Sequence, residues 1–480
     1  MAEKKNKKKL GTFGILILVL LIVAVITWLA NGQTFMVDGE EGVVVGATLS
    51  QILMAPILGF DDAREVIGFV FALGAFLALV TETGALDAGI AKLVKKKKGK
   101  EMNLVAVLMF LFSVGGTTYG MGEETVGFYI LLAATMTSAG MDPLVGCATV
   151  LLGAGTGVLG STINPFATGC AIEATVAKGV EVNTAQVYTI AVLLWIGSYI
   201  ISLLYTKKYA KKVMNEDGSI LTKEQLATCK EAYGSEKGNP DVQMTSKQNT
   251  CLWLFAITFV IMILAFIPWG DVNPGVYDSF AWSSFITGAQ FGDWWFYDAA
   301  TWFLLMGLII GKIGLPDQSK TVDIVMAGIA DMISVNVVIA LARATSVLMD
   351  QTQLGTWLVQ VSVNGLTNAG MPAGLFGFLD YLLHIALSFL VPSSSGLAGL
   401  SAPIVSPIVA GMGWSVETSI MILVAANGLV NLFTPTCGFI MGGLALARVP
   451  YEVWIKWSKK LILTLAAFSA VVLTICMAVL

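Results

Sequence analysis

Gly115-Gly116-Thr117-Thr118-Tyr119-Gly120-Met121-Gly122-Glu123-Glu124-Thr125 interrupts an otherwise apolar run that extends from Met102 to Ala139. One helical crossing of a bilayer takes about 20 apolar residues, so the run is long enough to cross twice. Four glycines and two adjacent carboxylates cannot form the centre of an ordinary lipid-facing helix. Non-helical backbone at membrane depth survives only where protein or a water-filled cavity surrounds it. The stretch therefore predicts a re-entrant hairpin over 102–139, entering and leaving on one side, with its polar tip buried in protein.

The rest of the chain supports a membrane reading. Of its 480 residues, 56% belong to the hydrophobic set and 12% are charged, about half the charge of an average soluble domain. Apolar blocks at Phe13–Trp28, Cys251–Pro268 and Leu461–Leu480 each suit one span. The fold class is thus an all-α polytopic membrane protein. A net charge of −4 without a basic surface excludes nucleic acid as a partner. A single histidine, no metal-ligand spacing and no set of nucleophile, base and orienting residue argue against an enzyme. The six cysteines read as free, mostly buried thiols.

Lysine clusters orient the spans, because Lys and Arg collect in short cytoplasmic loops. They lie at Lys4–Lys9, Lys92–Lys100, Lys207–Lys212 and Lys456–Lys460. A first span near 12–30 then runs outward into an outer loop carrying Asp38, Glu40, Glu41, Asp61 and Asp62. A span near 65–85 returns, followed by an amphipathic stretch at 83–94. After the hairpin come a span near 143–177, broken at Gly160–Pro165, and one near 185–206. Residues 207–250 read as a cytoplasmic linker with one surface helix at 222–233. Spans near 251–268, 295–313 and 322–345 follow, then an amphipathic stretch at 351–364. A second hairpin over 372–412 carries the tip Val391-Pro392-Ser393-Ser394-Ser395-Gly396. A span near 416–447, broken at Asn431–Thr436, and a last one near 455–478 complete the chain. This arrangement has nine crossings and two hairpins, with the N-terminus cytoplasmic and the C-terminus outside.

The halves, 1–206 and 251–480, share a plan: an amphipathic stretch, a Gly/Ser/Thr-rich tip, then a proline-broken helix. The breaks read Asn164-Pro165-Phe166-Ala167-Thr168-Gly169 and Thr434-Pro435-Thr436-Cys437-Gly438. The crossing count opens the hairpins to opposite sides, which makes the plan an inverted repeat and points to a transport site at the interruptions. Half-helix N-termini can hold a carboxylate, and freed carbonyls and hydroxyls suit a cation. The candidate substrate-binding residues are therefore Gly116, Thr117, Thr118, Glu123 and Glu124 at the first tip and Asn164 and Thr168 at the first break. Ser393, Ser394 and Ser395 at the second tip and Asn431, Thr434 and Thr436 at the second break join them. Glu123 and Glu124 are the sharpest signal, since intramembrane carboxylates are functional candidates by default. Asp331, Arg343, Asp380 and His384 also lie in apolar surroundings. Asp380 and His384, spaced i, i+4, read as a structural pair, with a proton relay as the alternative. Arg343 reads as snorkelling near a span end, and Asp142-Pro143 as a helix start.

The first tip, the motif Ile163-Asn164-Pro165-Phe166-Ala167-Thr168 and the second tip together resemble the YfcC-type family. That family is grouped with the DcuC-type anaerobic C4-dicarboxylate carriers in the ion transporter superfamily, and the resemblance covers nearly the whole chain. It implies a homodimer in the cytoplasmic membrane. Each protomer would have a scaffold domain and a mobile domain of hairpins and broken helices that moves as an elevator. Members of the family have been assigned as basic amino acid carriers, including arginine–ornithine exchangers. Carboxylate-binding relatives in the superfamily commonly carry a Ser-Asn-Thr tip, where this chain has Gly-Gly-Thr-Thr and Ser-Ser-Ser-Gly.

The expected function is secondary active exchange of basic amino acids, arginine against ornithine. One of Glu123 and Glu124 would meet the cationic group, and helix termini near Gly116, Asn164, Ser394 and Thr434 would hold the α-carboxylate. The alternative is a Na⁺- or H⁺-coupled carrier of C4-dicarboxylates, whose dianion calls for a basic residue. None stands inside either hairpin or either break. No cofactor is expected beyond such a coupling ion.

Overall fold

Two helices are apolar on every face, which suits burial at the centre of a bundle rather than contact with lipid on one side. The structure, a computed structural model, places them there. It describes residues 12–37, 40–86, 88–89, 101–215, 218–233, 244–367 and 370–480. The lysine clusters at 4–9 and 92–100, half of the amphipathic stretch at 83–94, and Asp38 lie outside the described residues. Among those described, nine helices are long and apolar enough to cross a membrane, with shorter apolar helices between them.

The first quarter comprises α1 (Thr12–Leu29), the strands β1 (Thr34–Val37) and β2 (Glu40–Val43), α2 (Leu49–Asp62) and α3 (Arg64–Glu82). The strands pair antiparallel. Helices α4 (Glu101–Tyr119) and α5 (Val126–Ser138) flank the first tip. The first interrupted helix follows as α6 (Pro143–Leu159), a wide turn over Pro165–Gly169 and α7 (Cys170–Val176). Helix α8 (Thr184–Met214) is about 46 Å long at 1.5 Å per residue, enough to span and continue into water. Helix α9 (Lys223–Tyr233) falls where the sequence expects a surface helix.

The second half holds α10 (Ser246–Phe266), α11 (Phe296–Gly314), α12 (Thr321–Asp331), α13 (Ile333–Gln351) and α14 (Leu354–Thr367). Helices α15 (Ala373–Leu390) and α16 (Ser394–Gly411) flank the second tip. The second interrupted helix is α17 (Val416–Val430) and α18 (Gly438–Leu446), and α19 (Tyr451–Val479) closes the chain. Each half therefore contains a helix–turn–helix followed by an interrupted helix.

Every residue of α6 is buried, as is every residue of α17 except Glu417. Their C-terminal ends touch. A Cβ on Gly428 would lie 2.4 Å from the Cα of Leu159, and one on Gly155 would lie 2.2 Å from Leu432. Only glycine permits that approach, and it brings the two helix breaks side by side. The starts are fixed by caps: Asp142 accepts from Val145 N ahead of Pro143, and Ser415 from Thr418 N.

A second pair of kinked helices packs beside this centre. Helix α2 lies along α13, and α12 along α3. Both crossings are glycine contacts. Gly59 meets the backbone of Ala340 and Ala344, and Gly74 meets Gly328. The sequence places 38–62 in an outer loop, where the structure has helix α2, while the expected span near 322–345 falls within the apolar helical stretch Gln318–Gln351. At 14 residues α2 is too short to register as a span, and it carries Pro56 and a terminal Asp pair. It is nonetheless helical because Ile52, Ala55 and Gly59 line one face that is buried. The long span breaks at Met332, between α12 and α13.

The crossing of α6 and α17 predicts a sharp steric outcome. Gly428→Leu should abolish monodisperse folded protein in size-exclusion chromatography. Gly399→Ala, at a helical position with no neighbour within 4 Å, should leave the elution profile and melting temperature unchanged or slightly raised.

Candidate substrate-binding site

A broken helix leaves backbone donors and acceptors that must find partners away from water. At the first break the hairpin supplies them. Thr117 is buried and donates to Gly160 O at 2.7 Å, while Thr117 O accepts from Thr162 N at 2.8 Å and Thr162 Oγ1 at 2.9 Å. Thr168 Oγ1 donates to Ser161 O at 2.9 Å. Asn164 caps the wide turn, accepting from Phe166 N at 2.9 Å, and donates to Ser161 Oγ at 2.9 Å. Gly120 turns the tip with a φ of 77°, and a Cβ there would lie 2.7 Å from the Asn164 carboxamide. Glycine is thus required twice over, for its backbone and for its size.

At the second break the direction reverses, and the interrupted helix caps the hairpin. Asn427 and Asn431 donate to Pro392 O at 3.3 and 3.1 Å, and Asn431 Nδ2 also reaches Asn427 Oδ1 at 2.9 Å. Ser394 Oγ donates to Asn427 Oδ1 at 2.8 Å. Ser393 caps α16 through Gly396 N at 3.2 Å, and Thr434 and Thr436 share a 2.7 Å hydrogen bond. Asn431 Oδ1 is buried without a hydrogen-bond partner.

Between the tips lies a cavity with about 820 Å³ of empty space, counting its open mouth. Of the residues singled out from sequence, Glu123, Ser393, Ser394, Ser395, Asn431 and Thr436 line it. Thr117, Asn164, Thr168 and Thr434 stand behind the wall, joined to backbone, to the Ser161 hydroxyl or to Thr436. Gly116 packs against Ala154 and Gly157 at the α4–α6 crossing, and Thr118 bonds back to Val114 O at 2.8 Å. The Glu124 side chain lies outside the described residues.

One lining residue changes the electrostatics that the sequence suggests. Arg343, on α13, lines the same cavity as Glu123. It is the one basic side chain among the described lining residues. Its guanidinium lies 3.6 Å from the Asp62 carboxylate at the end of α2. The snorkelling expectation is therefore replaced, because α13 carries Arg343 against the tips rather than toward a span end. A lone arginine in the run Val335–Leu348 was the available signal, by the same reasoning that flagged Glu123. Apolar lining comes from Val66, Phe166, Phe296 and Ile339, with Phe166 packed on Trp295 at 4.7 Å between ring centres. The site can therefore receive a ligand that carries both charge signs on an apolar stem.

A family model described as C4-dicarboxylate anaerobic carrier, DcuC, matches residues 8–478. The chain belongs to the DcuC family. It is a multi-pass membrane carrier and not an enzyme. A Haemophilus influenzae protein without an assigned function is 27% identical over 429 residues, 89% of this chain and 78% of the relative. YfcC of Escherichia coli (strain K12), which its name provisionally calls a basic amino acid antiporter, is 25% identical over 86% of this chain and 77% of its own length. Among solved structures, the Alcanivorax borkumensis YdaH transporter superposes with a TM-score of 0.51 over 97% of this chain and 98% of that one, at 16% identity. That likeness shows a shared transporter fold for this DcuC member.

Thr117→Val should lower stability by about 1–3 kcal/mol, because it leaves the buried Gly160 carbonyl without its donor. The check is a thermal melt in detergent. Thr118→Val, which removes only a bond within one helix, should melt close to the wild type.

Proposed function

We propose that this carrier exchanges basic amino acids, arginine against ornithine, at the cavity between the two hairpin tips. The observation that carries the reading is the presence of Glu123 and Arg343 on one cavity wall system. Glu123 meets the cationic side chain through charge-assisted hydrogen bonds. Arg343 and the α16 N-terminus, with its Ser393–Ser395 hydroxyls, hold the α-carboxylate. The unpartnered Asn431 Oδ1 accepts from the α-amino group. Phe166 and Phe296 cover the aliphatic stem. The name borne by the E. coli relative agrees with this choice.

In the same reading the chain has two inverted repeats, 1–206 and 251–480, joined by the linker 207–250. The hairpins and interrupted helices move together as an elevator against the kinked helices α2, α3, α12 and α13, in a homodimer. The pairing of α2 with α13 and α12 with α3 supports a two-fold relation between the halves. A second reading, transport of a C4-dicarboxylate, is favoured by Arg343 and by the description of the family model. It requires Glu123 to be protonated or neutralised by a coupling cation.

Binding of labelled arginine to purified protein, with ornithine, citrulline and succinate as competitors, separates the readings. Arginine and ornithine should compete strongly and succinate weakly. Glu123→Gln should weaken arginine roughly thirtyfold or more, the cost of removing one partner of a desolvated ion pair. Succinate displacing arginine at lower concentration than ornithine would establish the dicarboxylate reading instead.

The lysine pattern adds a topological expectation. In a background without native cysteines, single cysteines in the 218–233 segment should react with an impermeant maleimide only from the cytoplasm, and those at 40–47 only from outside. Labelling of both segments from the same side would refute the crossing count.

A further inference from the structure

His384, the single histidine of the chain, and Asp380 lie on α15, well below the second tip and away from the cavity lining. Their side chains are 1% and 0% exposed. His384 Nδ1 lies 3.0 Å from Asp380 Oδ1 and 2.9 Å from Asp380 O, and Nε2 lies 2.7 Å from Ser401 Oγ on α16. Apart from the imidazole, neither carboxylate oxygen of Asp380 has a hydrogen-bond partner. The imidazole Nδ1 faces both the main-chain carbonyl and the carboxylate of Asp380.

Among the described residues no other charge faces the pair. Helices α14 and α16 carry no ionisable side chain. Helix α17 carries only Glu417, which is held at the helix start by Asn183 N and Ser415 Oγ. Helix α19 carries Tyr451, Glu452, Lys456, Lys459 and Lys460 in its first ten residues and Cys476 near its end, and α15 itself adds the buried Tyr381. A buried carboxylate whose one polar neighbour is an imidazole is far too costly to stay charged beside a neutral ring. The pair is therefore stable when it holds one proton, as an ion pair or as two neutral groups. Removing that proton leaves an uncompensated buried negative charge.

We propose that Asp380 and His384 form a proton-carrying site within the second hairpin. With the hairpin hydrated from one side, a proton from water binds the Asp380 carboxylate–imidazole pair and makes it neutral. The neutral pair crosses buried, and the proton returns to water on the other side. Ser401, which bonds the imidazole across the two arms, links the protonation state to their packing. The inference rests on the proposed movement of the hairpins, and it holds whichever solute the cavity carries.

Because the chain has one histidine, ¹⁵N-histidine labelling of protein purified without a histidine tag gives a single ring to observe. In nanodiscs the ring nitrogen signals should change with pH between about pH 5 and 8, the range in which histidine switches, and Asp380→Asn should displace the transition. Ring signals that stay fixed across that range would overturn the proposal. In proteoliposomes at zero membrane potential, a pH gradient should drive labelled arginine uptake by the wild type. His384→Asn should lose that response while retaining arginine exchange at equal pH, and a wild-type response in this variant would also overturn the proposal. If the wild type moves no arginine, the amino acid reading fails and the spectroscopic experiment still decides. If His384→Asn does not fold, the wild-type titration decides alone.

Discussion

The structure depends on satisfying backbone groups where helices stop inside an apolar bundle. Lipid offers no hydrogen bonds, so a break is tolerable only when protein supplies the partners. Here the partners come from a neighbouring interruption. Thr117 of the first tip serves the carbonyl of Gly160 at the first break, and Asn427 and Asn431 of the second interrupted helix serve the carbonyl of Pro392 at the second tip. Each tip is thus tied to one break, and the glycine contact of α6 with α17 ties the breaks to each other. The cavity is what remains between elements that hold one another open.

That arrangement divides the polar residues into two groups. Thr117, Asn164, Thr168 and Thr434 spend their hydrogen bonds on the frame, while Glu123, Ser393–Ser395, Asn431 and Thr436 reach the cavity. The frame residues fix where the lining residues point. A substitution behind the wall should therefore act through stability or geometry, and one on the wall through ligand selectivity. Arg343 stands apart because its helix belongs to the kinked pair, and its ion pair with Asp62 joins α13 to α2. A ligand bound between Glu123 and Arg343 would bridge the hairpin elements and the kinked helices.

Much of this was legible in the sequence because membrane depth makes polarity conspicuous. The polar turns between α4 and α5 and between α15 and α16, the breaks after Leu159 and Val430, and the surface helix at 223–233 all announce themselves as Gly, Ser, Thr, Pro or charge within or beside apolar runs. The helix 49–62 did not, because it is short, ends in two aspartates and buries only one narrow face. Nor could the sequence tell which hydroxyls face the cavity, since that depends on which carbonyls the breaks leave free. Arg343 was misjudged because its distance from a span end was weighed, whereas its position opposite the tips follows only from the glycine crossings of α2 and α13.

The central claim is that the ligand sits between the tips, with its cation toward Glu123 and its carboxylate toward Arg343 and the start of α16. The most direct test is an experimental structure of the purified carrier in lipid nanodiscs with saturating arginine. The account predicts ligand density in the cavity, with the guanidinium against Glu123 and the carboxylate against Ser393–Ser395 and Arg343. Arginine density in any other place, or the reversed orientation with its carboxylate beside Glu123, would contradict it.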